Sequence, residues 1–275
     1  MYLTTKTKTY HLAERTHIMG ILNITPDSFS DGGNYLTQEN AILRAVEMER
    51  EGADIIDIGG ESTRPGHEAL SEEEELERVI PIIQAIKSRI NIPISIDTYR
   101  ARTAEQAIKS GAEIINDVWG AKKEPEIASI AAQYHVPIIL MHNRTDVNYS
   151  WLIEDMKNDL QESIDIAYQA GVPMENIILD PGIGFAKSME DNFTVMNKLE
   201  EFTDLGYPVL LGASRKSFIG DLLDIPPVER DNGTGATTCL GITKGVQIFR
   251  VHHVGLHKEL AKMMDAMVKG IGLHG

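Results

Sequence analysis

The chain has 275 residues, 42% of them hydrophobic, which is enough for a full core and within the size range of a single α/β barrel. Its 41 acidic against 26 basic residues give a formal charge of −15; this argues against a general nucleic-acid or anionic-membrane surface, so an anionic ligand needs a local basic cluster. The lone Cys239 excludes an intrachain disulfide; with no apolar signal core in residues 1–6 and no run near the ~18 apolar residues of a membrane span, a cytoplasmic protein is expected.

Residues 17–22 form an apolar run with the length and composition of a buried strand. It breaks into a polar loop from Asn23 through Pro26, Phe29, Asp31 and Gly32 to Gly33, and the next helical pattern starts at about Thr37. A loop of roughly 15 residues is long for a compact domain and reads as a mobile active-site lid. A helix over 38–51 ends at Gly52, a strand follows over 54–58, and residues 59–70 form a second long polar loop. Ser71 before Glu72, Glu73 and Glu74 reads as an N-cap with an acidic first turn, opening a helix to about Arg89. The same grammar continues with strands over 93–96, 113–115, 137–140, 176–179, 208–211 and 246–251. Helices are predicted over 101–110, 126–134, 153–170 and 188–205. Pro226 and Pro227 divide two further helical pieces, the second over 235–245, and a last helix covers 256–269.

Eight nearly continuous apolar strands alternating with helices imply strands buried on both faces, parallel and covered by helices. The expected fold class is α/β, a (β/α)8 TIM barrel formed by residues 1–275 as one domain. An open doubly wound sheet would place a Gly-rich fingerprint after the first strand, and Gly20-Ile21-Leu22-Asn23-Ile24-Thr25 is not one.

Barrel active sites lie at the C-terminal ends of the strands. The residues there are Asn23, Asp57, Asp97, Asn116 with Asp117, Met141 with His142, Asp180, Lys216, and Arg250 with His252. One strand-end polar residue is ordinarily a turn or cap; a whole ring of them facing one mouth is harder to assign to turns alone. They divide by charge. Asp97, Asn116 and Asp180 suit either the donor edge of a flat nitrogen heterocycle or a hard cation such as Mg²⁺. Ser214, Arg215, Lys216, Ser217, Arg250 and His252 follow the seventh and eighth strands, where this fold commonly binds phosphate. His142 is expected at the surface or behind the site rather than in catalysis. His252 and His253 should point apart, as neighbours on a strand do. Glu72 to Glu75 read as a solvated helix start.

The ordered blocks 20–33 (GILNITPDSFSDGG), 52–66 (GADIIDIGGESTRPG), 95–98 (SIDT), 114–117 (IIND), 140–143 (LMHN), 179–187 (LDPGIGFAK), 214–220 (SRKSFIG), Glu229-Arg230 and Arg250-Val251-His252 resemble the dihydropteroate synthase family over essentially the whole length. One departure stands out: after Arg250-Val251-His252 the family usually has Asp or Asn, and here there is His253. The resemblance implies condensation of 6-hydroxymethyl-7,8-dihydropterin pyrophosphate with 4-aminobenzoate. It implies pterin binding by Asp97, Asn116, Met141, Asp180, Phe185, Gly212, Lys216 and Arg250. It further implies pyrophosphate binding by Asn23, Arg64, Arg250 and His252, with Mg²⁺ on Asn23. By the same likeness 4-aminobenzoate sits near Pro26, Phe29, Thr63, Pro65 and Ser217, with Asp31 helping to close the site, and the chain is a homodimer and a sulfonamide target. Asp97, Asp180, Lys216, Arg250 and His252 would be the catalytic set. A pterin-binding methyltransferase barrel would share the Asp/Asn/Asp set but lack the first-loop block and the basic cluster.

Overall fold

The computed structural model describes residues 1–24, 33–60 and 70–270, with backbone alone over 33–37. The chain opens with a short antiparallel hairpin, β1 (Tyr2–Thr4) and β2 (Thr9–His11). Then come β3 (His17–Asn23), α1 (Gly33–Glu51), β4 (Ile55–Gly59), α2 (Glu72–Lys87), β5 (Ile94–Asp97), α3 (Ala101–Ser110), β6 (Ile114–Asp117) and α4 (Glu126–Tyr134). The second half runs β7 (Ile138–Met141), α5 (Leu152–Gln169), β8 (Ile177–Asp180), α6 (Met189–Asn197), α7 (Glu200–Thr203), β9 (Leu210–Leu211), α8 (Ser217–Leu223), α9 (Asp231–Thr243), β10 (Ile248–Val251) and α10 (Val254–Val268). Strands β3 to β10 form one eight-stranded parallel sheet, ordered β8-β7-β6-β5-β4-β3-β10-β9. A parallel bridge between Leu179 and Val209 joins β8 to the segment entering β9, closing the sheet into the expected (β/α)8 barrel. No helix among the described residues is long and apolar enough to cross a membrane.

The pleat sorts side chains between two cores. Ile56, Ile58, Ile94, Ile96, Ile115, Ile138, Leu140, Ile177, Leu179, Leu211 and Phe249 pack outward with helix residues such as Ala45, Met48, Val79, Ile83 and Ala104. Met19, Ile55, Ile114, Ile139, Ile178, Leu210 and Ile248 form a second layer inside the barrel. That layer is floored by Leu3, Tyr10 and Leu12, so the hairpin plugs the N-terminal end. Sequence reading missed this hairpin, because three-residue strands with one buried residue each leave no periodic signal. Tyr10 Oη donates to the Asp54 carbonyl at 2.5 Å. Asp54 accepts from Arg15 Nη2 (2.6 Å), Arg15 Nη1 (3.0 Å), the Ile18 N–H (2.9 Å) and Lys258 Nζ (3.3 Å).

Two boundaries and one exposure differ from expectation. Helix α1 begins at Gly33, earlier than the predicted start at about Thr37. The predicted helix over 188–205 is interrupted at Lys198, with Leu199 and Phe202 fully buried beyond the break. The acidic start of α2 is only partly solvated. Ser71 is the expected N-cap and forms a capping box with Glu74, and Glu72 and Glu73 reach Arg102. Glu75 turns inward, 1% exposed, and takes Arg100 Nη1 at 2.6 Å and Thr103 Oγ1 at 3.1 Å.

Candidate active site

The strand pleat repeats every two residues, so the side chain two positions above each floor residue also points into the barrel. Above Ile55 stands Asp57, above Ile114 Asn116, above Ile139 Met141, above Ile178 Asp180, above Leu210 Gly212, and above Ile248 Arg250. Above Met19 stands Ile21, so the apolar layer gives way within one repeat to a mixed one that carries Asp57, Asn116, Asp180 and Arg250. In-register pairing aligns Asn23 with Gly59 and Gly59 with Asp97, bringing those strand ends to the same level.

Arg250 dominates the layer. Its Nε donates to Asp57 Oδ2 at 2.6 Å and its Nη2 to Asp97 Oδ2 at 2.7 Å. Asn116 Nδ2 donates to the same Asp57 oxygen at 3.0 Å. Burial works against the Arg250 charge, but Asp57 and Asp97 outweigh it and hold its pKa above the usual value. The other Asp57 oxygen, Oδ1, is buried without a hydrogen-bond partner among the described residues. Burial is the largest influence on Asp97, with Arg250 opposing and Asp57 adding, and its carboxyl is pushed up to about 7. Burial likewise lifts Asp180 to about 6, although its Oδ1 accepts the Gly182 N–H at 2.7 Å. Glycines leave room beside these acids: a Cβ at Gly212 would lie 3.5 Å from Asp180 Oδ2, and one at Gly59 would lie 3.6 Å from both Asn23 Oδ1 and Asp97 Oδ2.

Lys216 closes the layer from the β9 side. Its ammonium lies 4.0 Å from the Phe185 ring centroid, and burial pulls its pKa down to about 8, with Asp180 and Asp97 opposing. His252 sits on the rim. Its backbone N–H donates to Ser214 Oγ (3.2 Å), and its Nδ1 pairs with the same hydroxyl at 2.9 Å. Burial, then Arg250, Arg215 and Lys216, push the His252 pKa to about 3, so the ring is neutral. Asn23 and Phe185 are half-buried, Met141 is buried, and Ser217 is exposed at the start of α8.

Several expectations are corrected. Arg215 does not join the anion cluster: its fork closes on Asp231 (Nε to Oδ1 2.7 Å, Nη2 to Oδ2 2.9 Å). Asp117 caps its own turn through the Trp119 and Ala121 N–H groups. Of the two places expected for His142, the structure takes the second: it is 1% exposed and lies behind the site between Asp159 and Lys187. His252 and His253 do point apart. His253 Nδ1 accepts the Leu256 N–H at 3.1 Å and caps α10, the service that Asp or Asn performs at a helix start. Pro26, Phe29, Asp31, Thr63, Arg64 and Pro65 lie outside the described residues, as does the expected lid over 25–32. Asp57, which had no assigned role, turns out to be the acceptor that joins Arg250 to Asn116; its signal was a charge two residues above Ile55 in an otherwise apolar strand.

A fixed cation between two buried acids, a third acid with a free oxygen, an amide and a neutral rim histidine suit a flat ligand with donors on one edge and a negative group on the other. Known proteins agree. Residues 19–252 match the pterin binding enzyme family. The dihydropteroate synthase of Bacillus subtilis is 60% identical over 270 residues, covering 98% of this chain and 95% of that one. The crystal structure of the Clostridium difficile dihydropteroate synthase, obtained with pteroic acid, has a TM-score of 0.92 at 50% identity over 94% of this chain and 98% of the other. That of Xanthomonas albilineans with 4-aminobenzoic acid has a TM-score of 0.92 at 38% identity, covering 97% of each chain. With a polar mouth of this composition and matches along nearly its whole length, the chain belongs to the dihydropteroate synthase family of pterin-binding transferases.

Proposed function

We propose that the barrel mouth joins 6-hydroxymethyl-7,8-dihydropterin pyrophosphate to 4-aminobenzoate, releasing pyrophosphate and 7,8-dihydropteroate. The observation that carries this reading is the Arg250 guanidinium forked between Asp57 and Asp97, with Asn116 and Asp180 in the same layer. The aminopyrimidine edge of the pterin lies against Asp97, Asn116 and Asp180, whose oxygens accept its N–H groups. Lys216 meets the oxo side of the ring, and Met141, Phe185, Gly212 and the Arg250 stem pack its faces. The pyrophosphate lies over Asn23, Arg64, Arg250 and His252, taking the guanidinium as a donor.

The C–O bond at the pterin methylene breaks as the pyrophosphate leaves with the bonding pair. Buried carboxylates stabilise the electron-poor pterin, and the cations stabilise the leaving group. The aromatic amine then attacks the methylene carbon and loses one proton, so no protein nucleophile is needed. The amine approaches past Ser217 and the first two loops, through Pro26, Phe29, Thr63 and Pro65, with Asp31 helping to exclude water. Mg²⁺ fits at Asn23. No group of three acidic, histidine or cysteine side chains among the described residues forms a cage, and the Asn23 amide oxygen faces the space left by Gly59. One amide oxygen plus phosphate oxygens and water is a usual Mg²⁺ environment. There the ion would neutralise pyrophosphate charge.

A second copy of the chain covers the face of α9 and α10, where Leu240, Met263 and Met267 are 38%, 61% and 60% exposed. Sulfonamides, which mimic 4-aminobenzoate, compete for its place. The decisive assay supplies the pterin pyrophosphate, 4-aminobenzoate and Mg²⁺ and follows pyrophosphate. Release that depends on 4-aminobenzoate is expected, and its absence would overturn the reading.

A further inference from the structure

The turn after β8 follows Asp180 and brings Phe185 to the mouth, yet it is bent in a way that side chains resist. Gly182, Gly184 and also Ala186 have positive φ, 68°, 82° and 47°. Something outside the turn must hold that shape. Gly184 N–H donates to Asn192 Oδ1 at 2.7 Å, and Tyr149 Oη donates to the Ala186 carbonyl at 2.8 Å. The main clamp is Lys187. Its ammonium folds back under the turn onto the Gly182 carbonyl (2.9 Å) and the Phe185 carbonyl (3.0 Å), and it meets His142 Nδ1 at 3.0 Å. The reaction described above makes no use of this half-buried lysine.

Burial pulls the Lys187 pKa down to about 7, and its set of partners favours the charged form. An ammonium has three protons and no lone pair. Two of its partners are carbonyls, which only accept, so the third proton goes to Nδ1 as acceptor. The His142 proton is then on Nε2, facing Asp159 Oδ2 at 2.9 Å. Asp159 also takes Arg144 Nε at 2.5 Å. A neutral amine would require Nδ1–H and leave a bare Nε2 against a carboxylate. Burial, reinforced by Lys187, keeps His142 neutral, with its pKa pushed down to about 3. The turn in turn touches Lys216. A Cβ at Gly184 would come within 2.9 Å of Lys216 Cδ, so this glycine lets the lysine stem lie flat on the turn.

We propose that Lys187 is a positioning residue for pterin binding: through Gly182, Phe185 and His142 it locks the turn that follows Asp180 and seats Phe185 beside Lys216. The inference rests on the placing of the pterin proposed above. The test is calorimetric binding of 6-hydroxymethylpterin, without pyrophosphate, to the wild type, Lys187→Met, Phe185→Leu, the double variant and Tyr149→Phe. Lys187→Met should weaken pterin binding about tenfold while the KM for 4-aminobenzoate stays within about twofold. The same change in a Phe185→Leu background should cost less than about threefold, because both act through one turn. Unchanged binding by Lys187→Met, or full additivity in the cycle, overturns the proposal. If Lys187→Met does not fold, Tyr149→Phe decides, since it loosens the same turn by one hydroxyl; weaker pterin binding supports the clamp and unchanged binding overturns it. A wild type that fails to bind pterin overturns the site reading and this proposal with it, whereas a wild type that binds alongside an equal Lys187→Met sinks the clamp alone.

Discussion

Asp54 at the foot of β4 and Asp57 within it stand one strand repeat and a residue apart, each against an arginine. At the floor, both Asp54 oxygens are engaged, by Arg15, the Ile18 N–H and Lys258. Burial raises its pKa, but those donors outweigh burial and the net shift is downward. At the mouth, Arg250 is divided between Asp57 and Asp97, Asp57 Oδ1 is left unpaired among the described residues, and Asp97 is pushed up to about 7. Asp54 is saturated, so it contributes stability. The mouth is short of donors, which is the state a donor-rich ligand would complete under the proposed function. Their pH dependences have opposite signs. Asp54, with a depressed folded pKa, contributes stability above the unfolded carboxylate range that is lost as pH falls through the folded value. Asp97 and Asp180 have raised folded values, so the folded state binds more protons than the unfolded one between about 4 and 7, and stability falls as pH rises through that window.

The contrast breaks most visibly at Arg250. Arg250→Leu leaves two buried acids without their cation and removes a donor to the leaving group, so kcat/KM for the pterin pyrophosphate should fall by roughly 10³ in steady-state kinetics. Wild-type activity in that variant would mean the mouth does not work through this charge. Lys216→Ala comes next, with the KM for the pterin pyrophosphate rising roughly 30-fold in the same assay as one contact to a charged group is lost; unchanged kinetics would remove Lys216 from the ring. A titration sharpens the comparison further. Pterin donors need ionised carboxylates, so affinity measured by calorimetry should weaken about tenfold from pH 8 to pH 6 as Asp97 and Asp180 protonate. A flat profile would contradict their role. The smallest effect on activity belongs to the floor. Asp54→Asn should cost about 2 kcal/mol, lowering Tm by about 4–8 °C in a thermal melt, while kcat/KM stays within about twofold. A large loss of activity there would mean that the two ends are coupled.

The barrel itself was legible because each strand is a short apolar run closed by a polar residue, and the helix stops at Gly52, Gly111 and Gly171 are written as glycines with positive φ. The ring of strand ends was legible for the same reason: one residue per strand, always at the same end. Which of those residues face one another was not. Arg250 and Asp57 are 193 residues apart in the chain, and nothing local distinguishes the Arg250 fork, turned to the mouth, from the Arg215 fork, closed on Asp231. Glu75 was grouped with three solvated neighbours because a run of glutamates hides the one on the buried face of the helix. For His142 the sequence left two places open, the surface or behind the site, because its partners, Asp159 and Lys187, lie on other elements.

The floor plug also constrains the order of assembly. Leu3, Tyr10 and Leu12 pack against a layer that includes Leu210 and Ile248, and Thr16 is tied through its N–H and hydroxyl to Asp265, 249 residues along the chain. A segment synthesised first therefore finds its last partners only after α10 has emerged. Loop closure over such a distance is entropically costly before any contact rewards it, so the final seal should form late and slowly. Until then the hairpin lacks its tie through Thr16 to Asp265, and the inner isoleucines at the floor are less firmly covered.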